Sequence, residues 1–365
     1  MPEDTSIWYN QEVTDIAGLK TDEEKLKAYY SACRKSYLNS PANEKEKEYI
    51  GQCSKNFPIS SYFEIPDDPA NLLSRWGLPE KLRGNIYLDK ERQNAVSQII
   101  NSSLRENIII LGEPGVGKTA LLFQCFDTIM KNGIAGVVIT PGFSDFHQKY
   151  GIRLFYDDLP ENAPPIQAID EKKVKGLVVT AREQDFKQKL TPAQQRMFTP
   201  VYVKRFSDEE IKKVAEKLLG MECINYTPDG ISLLIQYAQG SPVYVWSVVR
   251  QMVTSGEYML SNSYLQNNAS KGMSQYIGRL LSRLLREGNQ YKNGAHHILA
   301  ALQFLARHTR FKQCPSSYFN TMQDMLEKPV QDVFGTFRDK KLETQVLEYL
   351  SGTGTVYKFP HDSWA

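Results

Sequence analysis

Residues 112–119 decide the fold of this 365-residue chain and read Gly112-Glu113-Pro114-Gly115-Val116-Gly117-Lys118-Thr119. They match GxxxxGK[ST], the P-loop pattern, and stand between an apolar run at 107–111 and a helical segment at 118–131. Glycines let backbone N–H groups close around phosphate oxygens, and the N-terminus of a helix attracts anions. We therefore predict that residues Gly112 to Ala120 bind the phosphates of a nucleotide.

Two side chains at the end of the P-loop have roles of their own in this prediction. Lys118 can reach the β- and γ-phosphates, so it is a candidate catalytic residue as well as a binding residue. The Thr119 hydroxyl can hold Mg²⁺. An ordinary glycine turn is the alternative, which the position between a strand and a helix disfavours.

Short apolar runs alternate with helical segments on both sides of the P-loop. This alternation is typical of an α/β domain with a parallel sheet. Near-continuous apolar strands are what a sheet covered on both faces requires. The predicted strands are 107–111, 135–140, 152–156, 176–180 and 200–203.

Two acidic residues, Asp157 and Asp158, directly follow the predicted strand 152–156. The carboxyl ends of parallel strands form the ligand-binding edge of such a sheet. We predict that Asp157 binds Mg²⁺ through water, as a Walker B aspartate does, and that Asp158 is the catalytic residue that orients the attacking water. The alternative is a solvated acidic turn.

Polar residues also end the next strand, in the sequence Thr180-Ala181-Arg182. A polar or cationic side chain at this edge can touch the γ-phosphate and so distinguish ATP from ADP. Arg182 is therefore a third candidate catalytic residue. A surface arginine in a loop is the alternative.

Two further motifs can each be explained without a functional role when they are considered alone. Gly240-Ser241-Pro242 lies between helical segments, where a glycine turn with proline in the first turn of the next helix is common. His361-Asp362 lies at the end of the sequence and could donate to a phosphate, but an isolated histidine there is usually incidental.

The pattern changes along the chain predict four regions. Residues 1–82 form a helical accessory region, 83–206 the P-loop α/β domain, 207–260 a helical lid, and 270–365 a winged-helix-like domain that ends in a strand at 355–359. The polar stretch 261–268 is the best linker candidate. Ser207-Asp208-Glu209-Glu210 predicts a capping box that starts a helix, and Thr227-Pro228 predicts another helix start.

The composition indicates an ordinary globular protein, with 41% hydrophobic and 24% charged residues and a net charge of +2. Nearly balanced charge creates no overall field that would draw the chain to nucleic acid or membrane. The apolar runs are far shorter than the ~18 residues of a membrane span. Five scattered cysteines without a CxxC pair argue against a disulfide framework and a zinc site. We expect a cytoplasmic protein.

Taken together, these motifs resemble the STAND ATPases, in particular their NB-ARC members, a branch close to the origin-recognition AAA+ proteins. The resemblance covers about residues 85–365 and rests on the P-loop, the two aspartates, Thr180-Ala181-Arg182, Gly240-Ser241-Pro242 and His361-Asp362. It implies bound ATP or ADP with Mg²⁺. It also implies that Pro242 lies near the adenine and that His361 contacts the β-phosphate of ADP.

The chain departs from the family in two places. Asp89 and Lys90 stand where the family often carries a glycine and an arginine near the adenine. STAND switches also usually continue into a repeat array that senses the signal, whereas this sequence stops three residues after Asp362. A partner protein or residues 1–80 could take that role, or the chain is a fragment.

Two functions follow as hypotheses. The first is a switch that ADP locks and ATP releases for assembly with itself or an unidentified protein partner, with slow hydrolysis. The second is an initiator-like AAA+ ATPase that binds DNA through the winged helix, with Arg196 as a finger acting in trans. Basic residues between 271 and 310 favour the second hypothesis: Lys271, Arg279, Arg283, Arg286, Lys292, Arg307 and Arg310. A solvated helix face is the alternative interpretation of this stretch. A kinase or GTPase is disfavoured, because no guanine-recognition motif follows the strand that ends at Arg182.

Overall fold

The computed structural model describes residues 19, 21–39, 44–56, 63–139, 152–157, 175–269, 271–272, 314–315, 348–350 and 356–358. The chain divides into two compact units. The first comprises Met1–Glu113 and Gly117–Lys204, and the second comprises Pro114–Val116 and Arg205–Ala365. The apex of the P-loop thus belongs to the second unit.

A six-stranded sheet forms the first unit, in the order β1-β3-β4-β5-β2-β6. Strands β2 to β6 are parallel and β1 runs antiparallel to β3, so the predicted parallel α/β sheet is confirmed. The sequence did not predict β1. The bounds are β1 Phe63–Glu64, β2 Asn107–Gly112, β3 Gly136–Ile139, β4 Arg153–Tyr156, β5 Leu177–Arg182 and β6 Phe198–Tyr202.

The strand β2, which leads into the P-loop, lies between β5 and the edge strand β6. All six of its residues are buried, because helices cover both faces of a parallel sheet. The strand β5 separates β2 from β4, and its register sets Arg182 opposite Gly112. The ends of β2, β4 and β5 therefore share one edge of the sheet.

Helices α1 to α7 complete the first unit. The P-loop helix, α5, begins after Gly117 and ends before Gly133, and both of these glycines have left-handed backbone conformations. The bounds are α1 Asp22–Asn39, α2 Glu44–Asn56, α3 Pro69–Arg75, α4 Lys90–Asn101, α5 Lys118–Asn132, α6 Glu183–Lys189 and α7 Pro192–Gln195, with a 3-10 turn at Glu80–Leu82.

Aromatic side chains fill the core between α5 and its neighbours. Phe126 of α5 makes edge-to-face contacts with Tyr37, Trp76 and Phe155, at ring-centroid distances of 6.0, 6.2 and 5.2 Å. Each such pair stabilises the fold by about 0.5–1.5 kcal/mol beyond the free energy gained by burying its apolar area. The helix that carries the P-loop lysine is thereby fixed against both the sheet and α1.

The charged side chain of Arg153, at the start of β4, is fully buried. Its guanidinium donates to the backbone carbonyls of Ser102, Ser103 and Glu106 at 2.9–3.2 Å, and so ties the loop between α4 and β2 to the sheet. Burial lowers the pKa of this arginine from 12.5 to about 10.

Between residues 205 and 269, the second unit is mainly helical. The capping box at Ser207 and Glu210 and the helix start at Thr227 are as predicted. Two short strands, β7 and β8, pair in parallel. The bounds are α8 Asp208–Met221, β7 Asn225–Tyr226, α9 Pro228–Ala238, α10 Pro242–Thr254, β8 Met259–Leu260 and α11 Asn262–Asn268.

The prediction of a linker at 261–268 is wrong. Ser261 accepts a hydrogen bond from the Tyr264 N–H and begins α11. Leu265 and Ala269 are buried within the unit. Leu265 is the buried residue of this otherwise polar helix, and an isolated apolar residue leaves little periodic signal in the sequence.

Three strands near the C-terminus form an antiparallel sheet in the order β10-β11-β9. They are β9 Cys314–Pro315, β10 Glu348–Leu350 and β11 Val356–Lys358. The strand predicted at 355–359 is therefore present. The helices predicted in this region lie outside the described residues, and the winged helix stays a prediction. Within the described part of the chain, none of the helices combines the length and the apolar character of a membrane span.

The first unit also buries three thiols, those of Cys33, Cys53 and Cys125. Burial raises the pKa of each, that of Cys53 from 9.0 to about 11. An unfolded chain ionises these thiols above pH 9 while the folded chain keeps them protonated, so the unfolded state binds fewer protons there. We expect the urea midpoint of unfolding to fall between pH 9 and 11.

The exposed Cys223 supplies the control for this pH dependence. Substitution of Cys53 by alanine should flatten the fall in the urea midpoint between pH 9 and 11, whereas Cys223→Ala should leave its slope unchanged. Equal slopes in the two variants would show that Cys53 ionises alike in the folded and unfolded states.

Candidate functional site

The loop at 112–117 turns through two glycines with left-handed backbone conformations. Gly115 and Gly117 have φ angles of 78° and 95°, which a residue with a Cβ adopts only with strain. Val116 between them is buried, whereas Glu113 and Pro114 are exposed. Gly117 caps α5, so the N–H groups of the first turn, which includes Thr119 and Ala120, lack carbonyl partners within the helix. This end of α5 is thus suited to an anion.

The Lys118 ammonium group lies over the start of the loop. It donates to the carbonyl oxygens of Gly112 at 3.1 Å and Glu113 at 3.0 Å. Neutral carbonyls are weaker acceptors than phosphate oxygens, since charge-assisted hydrogen bonds are about twice as strong. The Lys118 ammonium group is therefore held beside the loop and can exchange these carbonyl acceptors for the oxygens of an anion bound there.

Asp157 follows β4 and joins two threonines at the carboxyl edge of the sheet. Its Oδ1 accepts from the Thr119 hydroxyl at 3.1 Å and from the Thr180 hydroxyl at 2.6 Å. The structure thus brings together the two predicted magnesium residues, Thr119 and Asp157. Because Thr119 donates its proton to Asp157, a lone pair on its oxygen remains for a cation.

This donor set fits Mg²⁺, which prefers hard oxygen ligands. Among the described residues there is no group of three or more His, Cys, Asp or Glu that could hold a metal by themselves. Mg²⁺ is commonly bound by one or two protein oxygens together with substrate phosphates and water. Thr119 would supply a protein oxygen, and Asp157 would hold the ion through water.

Arg182 ends β5 and is exposed. Its backbone pairs in register with Gly112, so it lies next to the first residue of the P-loop. A cation at this position could reach an anion bound at the loop.

In the second unit, Ser241 contacts the apex of the P-loop. Its hydroxyl donates to the Gly115 carbonyl at 3.2 Å and accepts from the Tyr244 N–H as the N-cap of α10. Pro242 is the first residue of that helix. The preceding Gly240 has a φ of 76°, and a Cβ there would meet the Phe206 carbonyl oxygen at 2.5 Å. The turn that holds Ser241 therefore requires glycine.

The segment that departs from the family pattern is also ordered. Asp89 caps α4 and forms a buried ion pair with Arg92. Arg92 also donates to the Lys204 carbonyl at 2.6 Å. The carboxylate of Asp89 is thus engaged in holding α4 to the end of the first unit, which supports a structural role.

Sequence reasoning overlooked Thr180 and Ser241 as site residues. Both lie inside motifs that it singled out, but it chose the neighbouring Arg182 and Pro242. The N-cap position of Ser241, immediately before a proline, was a usable signal. Nothing in the sequence indicated that Thr180 would reach Asp157. Two further predicted residues, Asp158 and His361, lie outside the described residues.

Comparisons with known proteins give distant structural likenesses. The Thermotoga maritima RuvB Holliday junction branch migration motor is similar over 57% of this chain and 80% of that chain, with 12% identity and a TM-score of 0.40. Domain III of the T. maritima replication initiation protein DnaA is similar over 49% and 91%, with 15% identity and a TM-score of 0.39. The S. cerevisiae Hsp104:casein complex is similar over 55% and 42%, with 14% identity and a TM-score of 0.38.

No protein-family model and no curated protein matches the sequence. These structural likenesses do not place the chain in a family.

Proposed function

We propose that this chain is a P-loop ATPase of the AAA+/STAND type that binds ATP or ADP with Mg²⁺. The observation that carries the proposal is the set of hydrogen bonds from Thr119 and Thr180 to Asp157, beside a glycine-rich loop in which Gly115 and Gly117 have positive φ angles. These groups meet where the ends of β2, β4 and β5 adjoin, the usual ligand site of a parallel sheet.

In this proposal each residue acts on a different part of the nucleotide. The N–H groups of the loop and of the first turn of α5 bind the phosphates, and Lys118 neutralises the β- and γ-phosphates. Thr119 would hold Mg²⁺ directly and Asp157 would hold it through water, and the ion would supply positive charge beside the β- and γ-phosphates. Asp158 orients the attacking water, and Arg182 senses the γ-phosphate.

We further propose that the chain acts as a switch rather than a fast enzyme. ADP would hold the chain in one state through Pro242 near the adenine and His361 at the β-phosphate, and ATP would release it for self-assembly or for a protein partner. A switch requires differential contacts in its two states. Arg182 for the γ-phosphate and His361 for the β-phosphate supply that difference.

Nucleotide released from freshly purified, denatured protein tests the switch. We expect about one ADP per chain in the wild type by chromatography, and loss or fast exchange of ADP in His361→Ala. His308→Ala is the matched control and should retain the wild-type content. An empty, freely exchanging wild type would contradict the locked switch.

An initiator-like ATPase that binds DNA is the second candidate. Arg196 is exposed just before β6, where a finger acting in trans would need to be, and Lys271 is exposed at the start of the basic stretch. The rest of that stretch lies outside the described residues. DNA affinity that falls steeply with salt concentration would support this candidate, because neutralised phosphates release counterions.

A further inference from the structure

Side chains of α1 hold the end of α5 that is opposite the P-loop. The Arg34 guanidinium donates through Nε to the Met130 carbonyl at 2.6 Å and through Nη2 to the Lys131 carbonyl at 3.0 Å. The last carbonyls of a helix have no partners within it, and a cation is favoured beside them. Arg34 thus caps the C-terminus of α5 from a separate helix.

Tyr30 extends this contact to the strand that follows. Its hydroxyl donates to the Ile134 carbonyl at 2.6 Å and accepts from the Gly136 N–H at 3.3 Å, and the side chain is completely buried. One hydroxyl therefore holds the connection between α5 and β3 on both sides.

A third contact lies nearer the middle of α5. The Tyr37 hydroxyl donates to Asp127 Oδ1 at 3.2 Å, and both side chains are buried. Lys131 pairs with the other carboxylate oxygen of Asp127 at 2.6 Å. Burial and the neighbouring carboxylate raise the pKa of Tyr37, so the phenol remains a donor at neutral pH.

We propose that α1 is a positioning element for the nucleotide site, with Arg34 as its main positioning residue. The inference rests on the proposed function. The helix α5 is about 22 Å long, and a helix behaves as a rigid element that can transmit coupling between its ends. The docking of α1 restrains α5 at one end, and the binding of phosphate restrains it at the other end. Both events therefore act on the same rigid helix.

Such coupling is reciprocal, because each event changes the equilibrium constant of the other by the same factor. Release of α1 weakens nucleotide binding, and bound nucleotide tightens the docking of α1. The N-terminal helices then form part of the nucleotide-responsive core.

Titration of full-length protein with ADP tests the proposal. Arg34→Met should raise the Kd for ADP about tenfold, within the usual range of allosteric coupling. Arg34→Lys, which keeps the charge and a single donor group, should give an intermediate Kd. Lys35→Met replaces the neighbouring exposed residue and should bind as the wild type does. A cooperative unfolding transition with an unchanged Kd in Arg34→Met would overturn the proposal, because a purely structural role lowers stability alone.

Hydrogen exchange of the wild type provides a test that does not depend on a variant. Saturating ADP should slow amide exchange in residues 22–39, and Arg34→Met with ADP bound should lose this protection. Protection of the P-loop without any change in α1 would also overturn the coupling. Failure of the wild type to bind ADP would instead refute the proposed function itself.

Discussion

Exchange of Lys118 for alanine is expected to lower the affinity for ATP and ADP at least 100-fold. Lys118 Nζ lies within 3.1 Å of two loop carbonyls and is the cation of the P-loop. Its removal leaves the loop itself with neutral N–H donors for the phosphates. A 100-fold loss corresponds to about 2.8 kcal/mol, which is in the range of a hydrogen bond to a charged group.

The matched control is Lys213→Ala, the same change at an exposed lysine of α8. Both variants should unfold cooperatively, because the hydrogen bonds of Lys118 to the Gly112 and Glu113 carbonyls are partly exposed. Calorimetric titration with ADP then compares the two directly. Wild-type affinity in Lys118→Ala would refute the assignment of the P-loop as the nucleotide site.

Local signals explain why the centre of the first unit could be predicted from sequence. The spacing of Gly112, Gly117 and Lys118 is set by the loop itself, and fully buried strands such as β2 read as continuous apolar runs. The helix starts at Ser207 and Thr227 could be predicted for the same reason, because a cap is a contact between residues three positions apart.

Contacts between distant parts of the chain could not be predicted from local sequence patterns. The strand β1 has two residues and exists because it pairs with β3, more than 70 positions away. The insertion of β5 between β2 and β4, which lets Thr180 reach Asp157, is likewise a property of the sheet order. No local pattern distinguishes such a threonine from one that only fits a strand.

The contacts of the N-terminal region could not be predicted from local patterns either. The sequence predicts a helical region at 1–82, but Tyr30 and Arg34 read there as ordinary residues of a helix. Their role depends on which carbonyls lie opposite, and those belong to residues about 100 positions later. A buried polar side chain acquires its partners only in the packed structure.

Substitution of Asp157 by asparagine is expected to reduce Mg²⁺-dependent ATP hydrolysis at least 100-fold. The amide oxygen can still accept from Thr119 and Thr180, so the local geometry should persist. The negative charge that attracts the cation is lost. Single-turnover hydrolysis at increasing Mg²⁺ measures the effect, and ADP binding in EDTA should be the same as in the wild type.

Thr180→Val separates the effect of the Asp157 charge from the effect of the hydrogen bond that Asp157 accepts from Thr180. It removes the 2.6 Å hydrogen bond but keeps the carboxylate, so hydrolysis should fall by a smaller factor and remain dependent on Mg²⁺. Asp158→Asn should retain Mg²⁺-dependent binding of ATP and lose hydrolysis, because that residue is assigned to the water. If Asp157→Asn hydrolyses ATP at the wild-type rate with the same Mg²⁺ dependence, the metal is held elsewhere, and the contact between Thr119 and Asp157 is only structural.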